Sequence, residues 1–169
     1  MEILVLRVVH VVCGVFWAGG FFMLTLFIEP TTRAMGPDGG KFMSRLAGSK
    51  FPIAMMVTGL LTILAGLRLY AVLYAPANGW APRSPTTMAL LTGAATAILA
   101  LLNGVTVSRP AAARMAALAQ EVQQGGGKPT DQQNTEIVKV RGRLVNSARI
   151  NAVLVGITVI LMAVARYVG

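Results

Sequence analysis

The sequence predicts an all-α membrane protein, a bundle of four transmembrane helices, on three observations. Four strongly apolar blocks recur along the chain, each close to the ~20 residues an α-helix needs to cross a ~30 Å hydrocarbon layer. Charged residues make up only 12% of the 169 residues, about half the share usual in a soluble domain. The charges also lie between the apolar blocks rather than along one face. The net charge of +9 therefore marks loops at a membrane surface and excludes a nucleic-acid-binding domain.

The first block covers residues 3–28. It has no basic leader and no small-residue cleavage site, and it is longer than the apolar part of a signal peptide, so it reads as a permanent helix. The second block covers 51–74 and the third 87–107, with Pro52 and Pro85 at or near their starts, where a missing N–H costs little. The fourth covers 150–168. Backbone polar groups cannot be left open in lipid, so each block at this length is a helix.

Between the third and fourth blocks, residues 108–149 predict a helical hairpin rather than a plain linker. "RPAAARMAALAQEVQQ" is rich in helix formers and places Met115, Leu118 and Val122 at helical spacing. "GGGKPTD" breaks the chain, and Thr130 or Asp131 can cap a new helix. Ile137, Val140 and Leu144 then repeat the spacing into the fourth span. Spans three and four thus extend beyond the membrane around a glycine-rich tip, and residues 1–169 form a single integral membrane domain.

Charge sets the expected orientation. Arg33, Lys41, Arg45, Lys50, Arg109, Arg114, Lys128, Lys139, Arg141, Arg143 and Arg149 fall on the side of the first and third loops. Only Arg7, Arg68, Arg83 and Arg166 fall on the side of the termini and the second loop. Both termini are therefore expected outside, with the hairpin in the cytoplasm, in a multi-pass protein of the inner (plasma) membrane. The partners this implies are the lipid bilayer and either a second copy of the chain or a larger membrane complex.

Ionisable groups inside spans are costly and point to function. His10, the sole histidine, lies one to two helical turns below the exterior end of span one, about 8 Å deep at 1.5 Å per residue. Arg7 is one turn above it on the same face, Arg68 is at similar depth in span two, and Arg166 is near the exterior end of span four. If the helices face one another, three arginines and a histidine form a ring in the outer leaflet. Such a ring suits an anion: guanidinium forks match carboxylates, haem propionates included, and His10 could ligate the iron, making it the metal-binding candidate. The second ligand of a b-type haem would then be Met, Lys, Tyr, water or a residue from another subunit; Met23, Met55, Met56, Met88 and Met162 are within the spans. Against this stand plainer roles. His10 can simply hydrogen-bond a neighbouring helix, and Arg7, Arg68 and Arg166 can snorkel to headgroups.

At the inner side, Glu29 can pair with a loop arginine, and Asn103, Asn146 and Asn151 can bond across spans three and four. Gly14, Gly19, Gly20, Gly59, Gly66 and Gly104 permit close helix approach. The one cysteine, Cys13, excludes an internal disulfide and a multi-cysteine metal site. No phosphate-binding loop, HExxH, paired carboxylates or serine–histidine–aspartate set is present, which argues against a hydrolase or ATPase.

"LRVVHVVCGVFWAGGFFMLTLFIEP", with its early histidine and later W-x-G-G, resembles the first span of the copper-resistance protein D-like superfamily of small helical membrane proteins. "RLAGSKFPIAMMVTGLLTILAGLRLY" and "VGITVILMAVARY" are similar to the second and last spans of four-span members of unknown function. One branch of that superfamily is the bacterial membrane-bound protoporphyrinogen oxidase, and the resemblance to it implies haem bound through His10. That branch also uses a lysine in a later span. This chain has no lysine within a span, and Arg68 neither ligates iron nor titrates. The expectation is therefore a haem-binding or redox-accessory protein rather than an enzyme. The alternatives are a structural or assembly subunit without a cofactor, an oxidase-like enzyme, or a copper or anion transporter.

Overall fold

The computed structural model describes residues 1–168 apart from the side chain of Asn78; Gly169, the last residue of the expected domain, lies outside the described residues. Among the described residues the chain is helical throughout, with no strand. Four helices are long and apolar enough to cross a membrane: α1 (Glu2–Ala34), α3 (Phe51–Leu73), α5 (Pro85–Gln124) and α6 (Asp131–Tyr167). Two shorter ones complete the order, α2 (Pro37–Ala47) after α1 and α4 (Ala75–Asn78) after α3. The four expected spans are all present, in an integral membrane protein.

The helix limits depart from the apolar blocks in an informative way. α1 does not stop at Ile28 but runs through Pro30, and α5 runs through Pro110 without a break. A proline inside a helix removes a donor and pushes against the carbonyl one turn back. Both helices absorb this by widening to π geometry just ahead of the proline, over Leu24–Ile28 and over Gly104–Ser108. There the N–H of Glu29 donates to Leu24 O and that of Arg109 to Gly104 O, five residues back instead of four.

Packing follows two antiparallel pairs. In the first, α1 lies against α3 with side chains of one seated on glycines of the other. A Cβ on Gly59 would stand 2.7 Å from the Trp17 ring, and one on Gly66 would stand 2.7 Å from His10 Cε1. These glycines are seven residues apart, as are His10 and Trp17, so the repeat keeps both contacts on one seam. Gly19 faces open space and takes no part. In the second pair, α5 and α6 are joined by polar groups: the hydroxyls of Thr96 and Thr158 lie 2.8 Å apart, and Thr158 also donates to Gly93 O. The pairs meet over a shared core that includes Trp17, Phe21, Met55, Ile63, Ala100 and Val155. Large apolar residues on the outside, Val11, Val12, Val15 and Phe16 on α1 among them, form the surface for lipid.

Beyond the apolar windows α5 and α6 continue as a helical arm with a core of its own. Leu118, fully buried, packs with Ala111 and Val140, flanked by Met115, Ile137 and Leu144. Gly126 and Gly127, at φ 95° and 82°, make the turn at the tip, a backbone region other residues rarely adopt. Of the two expected caps, Thr130 starts α6: its hydroxyl accepts from the N–H of Gln133, whose side chain accepts from the N–H of Thr130.

Candidate functional site

His10 is positioned by the α1–α3 seam. Its Nδ1 lies 2.7 Å from the carbonyl oxygen of Thr62. A carbonyl only accepts, so Nδ1 carries the proton and donates, and in the neutral ring Nε2 then presents a lone pair. No described residue gives Nε2 a hydrogen-bond partner. The ring rests where a side chain on Gly66 would be, and the buried Thr62 turns its own hydroxyl back to Thr58 O at 2.7 Å. The plain reading of His10 as a helix-to-helix hydrogen bond is therefore a structural fact, and it leaves one nitrogen unused.

None of the three arginines hydrogen-bonds to His10 among the described residues. Arg68 is held by Glu2, with Nε and Nη2 donating to Oε1 at 2.9 and 2.8 Å between the start of α1 and the last part of α3. Sequence reasoning left Glu2 out, although it is the one acidic residue on the side of the termini. Arg7 is exposed and has no hydrogen-bond or ion-pair partner among the described residues. Arg166 lies at the end of α6, which packs on α5, with its guanidinium 5.1 Å from the centre of the Tyr167 ring. Among the described residues no hydrogen bond or ion pair joins Arg166 to His10, Arg7 or Arg68.

Among the described residues no group of three or more His, Cys, Asp or Glu side chains could hold a metal ion. A bare ion caged by this chain alone thus has no donor set. Haem asks less of the protein: one imidazole with a free nitrogen and its other N–H held by a carbonyl is a sufficient axial side. His10 has those two features.

A second polar centre lies at the other end of the bundle, where α5 and α6 leave it. Asn103 Nδ2 donates to Asn151 Oδ1 at 2.8 Å and faces Ser147 Oγ at 2.7 Å and Ser147 O at 3.2 Å. The hydroxyls of Ser108 and Ser147 are 2.7 Å apart. The expected bond between Asn103 and Asn151 is present, while Asn146 is exposed and outside the cluster. Ser108 and Ser147 were not anticipated. Ser147 and Asn151 share a face at the usual four-residue spacing, but Asn103 and Ser108 are five apart and share one only because of the π turn between them. Nearby, Thr25 donates to Ala148 O at 3.4 Å, and the carboxylate of Glu29 accepts from Arg33 at 2.6 Å and Arg149 at 3.4 Å, tying α1 to α6.

In the arm, Arg114 grips Glu136 through two nitrogens, Nε at 2.7 Å and Nη2 at 2.8 Å, and reaches Glu121 at 2.8 Å. The hydrogen bonds from Arg114 hold the Glu136 carboxyl below its ordinary range, and those from Glu136 and Glu121 raise the guanidinium further. In α2, the hydrogen bond from Lys41 likewise lowers Asp38. No family model, curated protein or solved structure matches the chain.

Proposed function

We propose that this integral membrane protein is a haem-binding or redox-accessory protein of the plasma membrane, with His10 as the ligand to iron. The observation that carries the reading is the His10 tautomer: Nδ1–H is committed to Thr62 O, which leaves Nε2 as the nitrogen that would take iron. Arg7 and Arg68 would receive the propionates, Arg68 by exchanging Glu2 for a bidentate partner. The haem, when bound, supplies a one-electron carrier near the outer surface. In this reading both termini are outside and the arm is in the cytoplasm, as the distribution of lysine and arginine favours. The resemblance to the copper-resistance protein D-like superfamily supports the same choice of His10. Purification after expression with haem supplied should give a Soret band that His10→Ala removes; a wild-type protein with no Soret band under those conditions ends the proposal.

The arm supports a second reading, an assembly subunit that carries no cofactor. Its separate core and its Arg114–Glu136 grip make it a stiff projection, which a partner protein can recognise. Purification in mild detergent separates the readings, because a lone monomer with a Soret band favours the first and a colourless complex favours the second.

A further inference from the structure

Asn151 is completely buried in an apolar bundle, yet its Nδ2 has no hydrogen-bond partner. A buried donor left unpaired is costly and calls for an explanation. An inverted amide does not supply one. Ser147 O is a carbonyl and can only accept, so the atom of Asn103 that faces it is Nδ2. The Asn151 atom that faces Asn103 Nδ2 must then be Oδ1, which leaves Asn151 Nδ2 as the outward group. Any partner of this group is therefore a hydrogen-bond acceptor, and a cation is excluded from that position.

The surroundings provide the rest of a site. Gly104, the first residue of the π turn, has no side chain there, and a Cβ on it would lie 3.9 Å from Asn151 Nδ2 with nothing nearer. Arg109 N–H serves Gly104 O instead of Val105 O, and Pro110 has no N–H for the carbonyls behind it. Main-chain acceptors short of a donor thus occur on the same turn of α5. A π turn of this kind frequently marks a functional position. A buried water needs two to four polar partners, and Asn151 Nδ2 supplies an unused donor beside this turn.

We propose that the corner formed by Gly104, Asn151 and the adjacent Asn103–Ser147–Ser108 cluster binds one small hydrogen-bond acceptor, a water molecule, at the base of the arm. It accepts from Asn151 Nδ2 and donates to the α5 main chain, so that α5 and α6 are joined through it where they leave the bundle. A halide shares the accepting chemistry and is distinguished in the test.

The test uses the full chain in lipid nanodiscs, with ¹⁵N-labelled asparagine side chains. Magnetisation transfer from water to the Asn151 amide is expected in the wild type. A resolved Asn151 amide signal with no such transfer, and no response to chloride, overturns the proposal. An amide shift unchanged between chloride and gluconate buffers assigns water, whereas a shift that titrates with chloride assigns a halide to the same acceptor site. Gly104→Ala gives an independent sign. With the corner empty, the added methyl meets nothing close and alanine favours a helix over glycine, so the unfolding midpoint rises. With the corner occupied, the methyl competes with the bound molecule, and the midpoint falls by a few degrees along with loss of the water signal. A rise overturns the proposal.

Discussion

At the scale of the residue, His10 illustrates how an imidazole can serve packing and remain available for chemistry. Its ring fills the space a side chain on Gly66 would take, and one nitrogen satisfies Thr62 O. Gly66→Ala would place a methyl 2.7 Å from Cε1 and 2.9 Å from Nδ1, closer than carbon and nitrogen tolerate, so the ring has to move and its bond to Thr62 is lost. The expected cost is about 1–3 kcal/mol, the usual range for overpacking a tight interface. In a His10→Ala background the three nearest atoms, all of the ring, are gone, and the same change should cost far less. A double-mutant cycle on thermal unfolding measures the difference, and equal costs in the two backgrounds would refute the coupling. His10 itself was legible as an exception in an apolar run. Its partner was not, because Thr62 is engaged through its main chain and no side-chain pattern announces a carbonyl.

At the scale of the element, the two prolines decide where polar groups face. In a regular helix residues 103 and 108 would point about 140° apart, at about 100° per residue; the extra residue of the π turn brings them to one side. That is why Ser108 reaches Ser147. The four spans were legible because apolar length is a strong signal, and the arm was legible because Met115, Leu118, Ile137, Val140 and Leu144 keep helical spacing across both of its strands of helix. The π turns were not, because a proline in sequence reads as an end and only packing on both sides keeps the helix going. Pro110→Ala restores a donor for the carbonyl one turn back and favours ordinary α geometry, which swings Ser108 away from Ser147. With Cys13→Ser as background, Ser108→Cys and Ser147→Cys should form a disulfide under mild oxidation, and adding Pro110→Ala should suppress it. Undiminished cross-linking would show that the proline does not maintain the turn.

At the scale of the whole molecule, lipid and water divide the stabilising forces. The bundle gains little from burying apolar surface when its outer face is as apolar as its core, so close contacts on glycine and hydrogen bonds between helices hold it together. The arm has the opposite economy, with an aqueous surface, a small core around Leu118 and the Arg114 grip on Glu136 and Glu121. Its stability should consequently depend on pH. Glu136 has a lowered folded-state pKa, chiefly through the hydrogen bonds from Arg114, so its contribution is complete above the ordinary carboxylate range. It is lost as the pH falls through the lowered value, when protonation removes the acceptor charge. Acidification from neutral pH to below the lowered value is therefore expected to loosen the arm while the spans stay helical. Spin labels placed on the two helices of the arm near its tip should report a broadened distance distribution in acid. Arg114→Gln removes the grip at every pH, so it should broaden the distribution already at neutral pH and flatten the response to acid. An Arg114→Gln protein that keeps both the narrow distribution and the acid response would show that the arm is held by Leu118 and its neighbours, and that the charged grip contributes nothing to its shape.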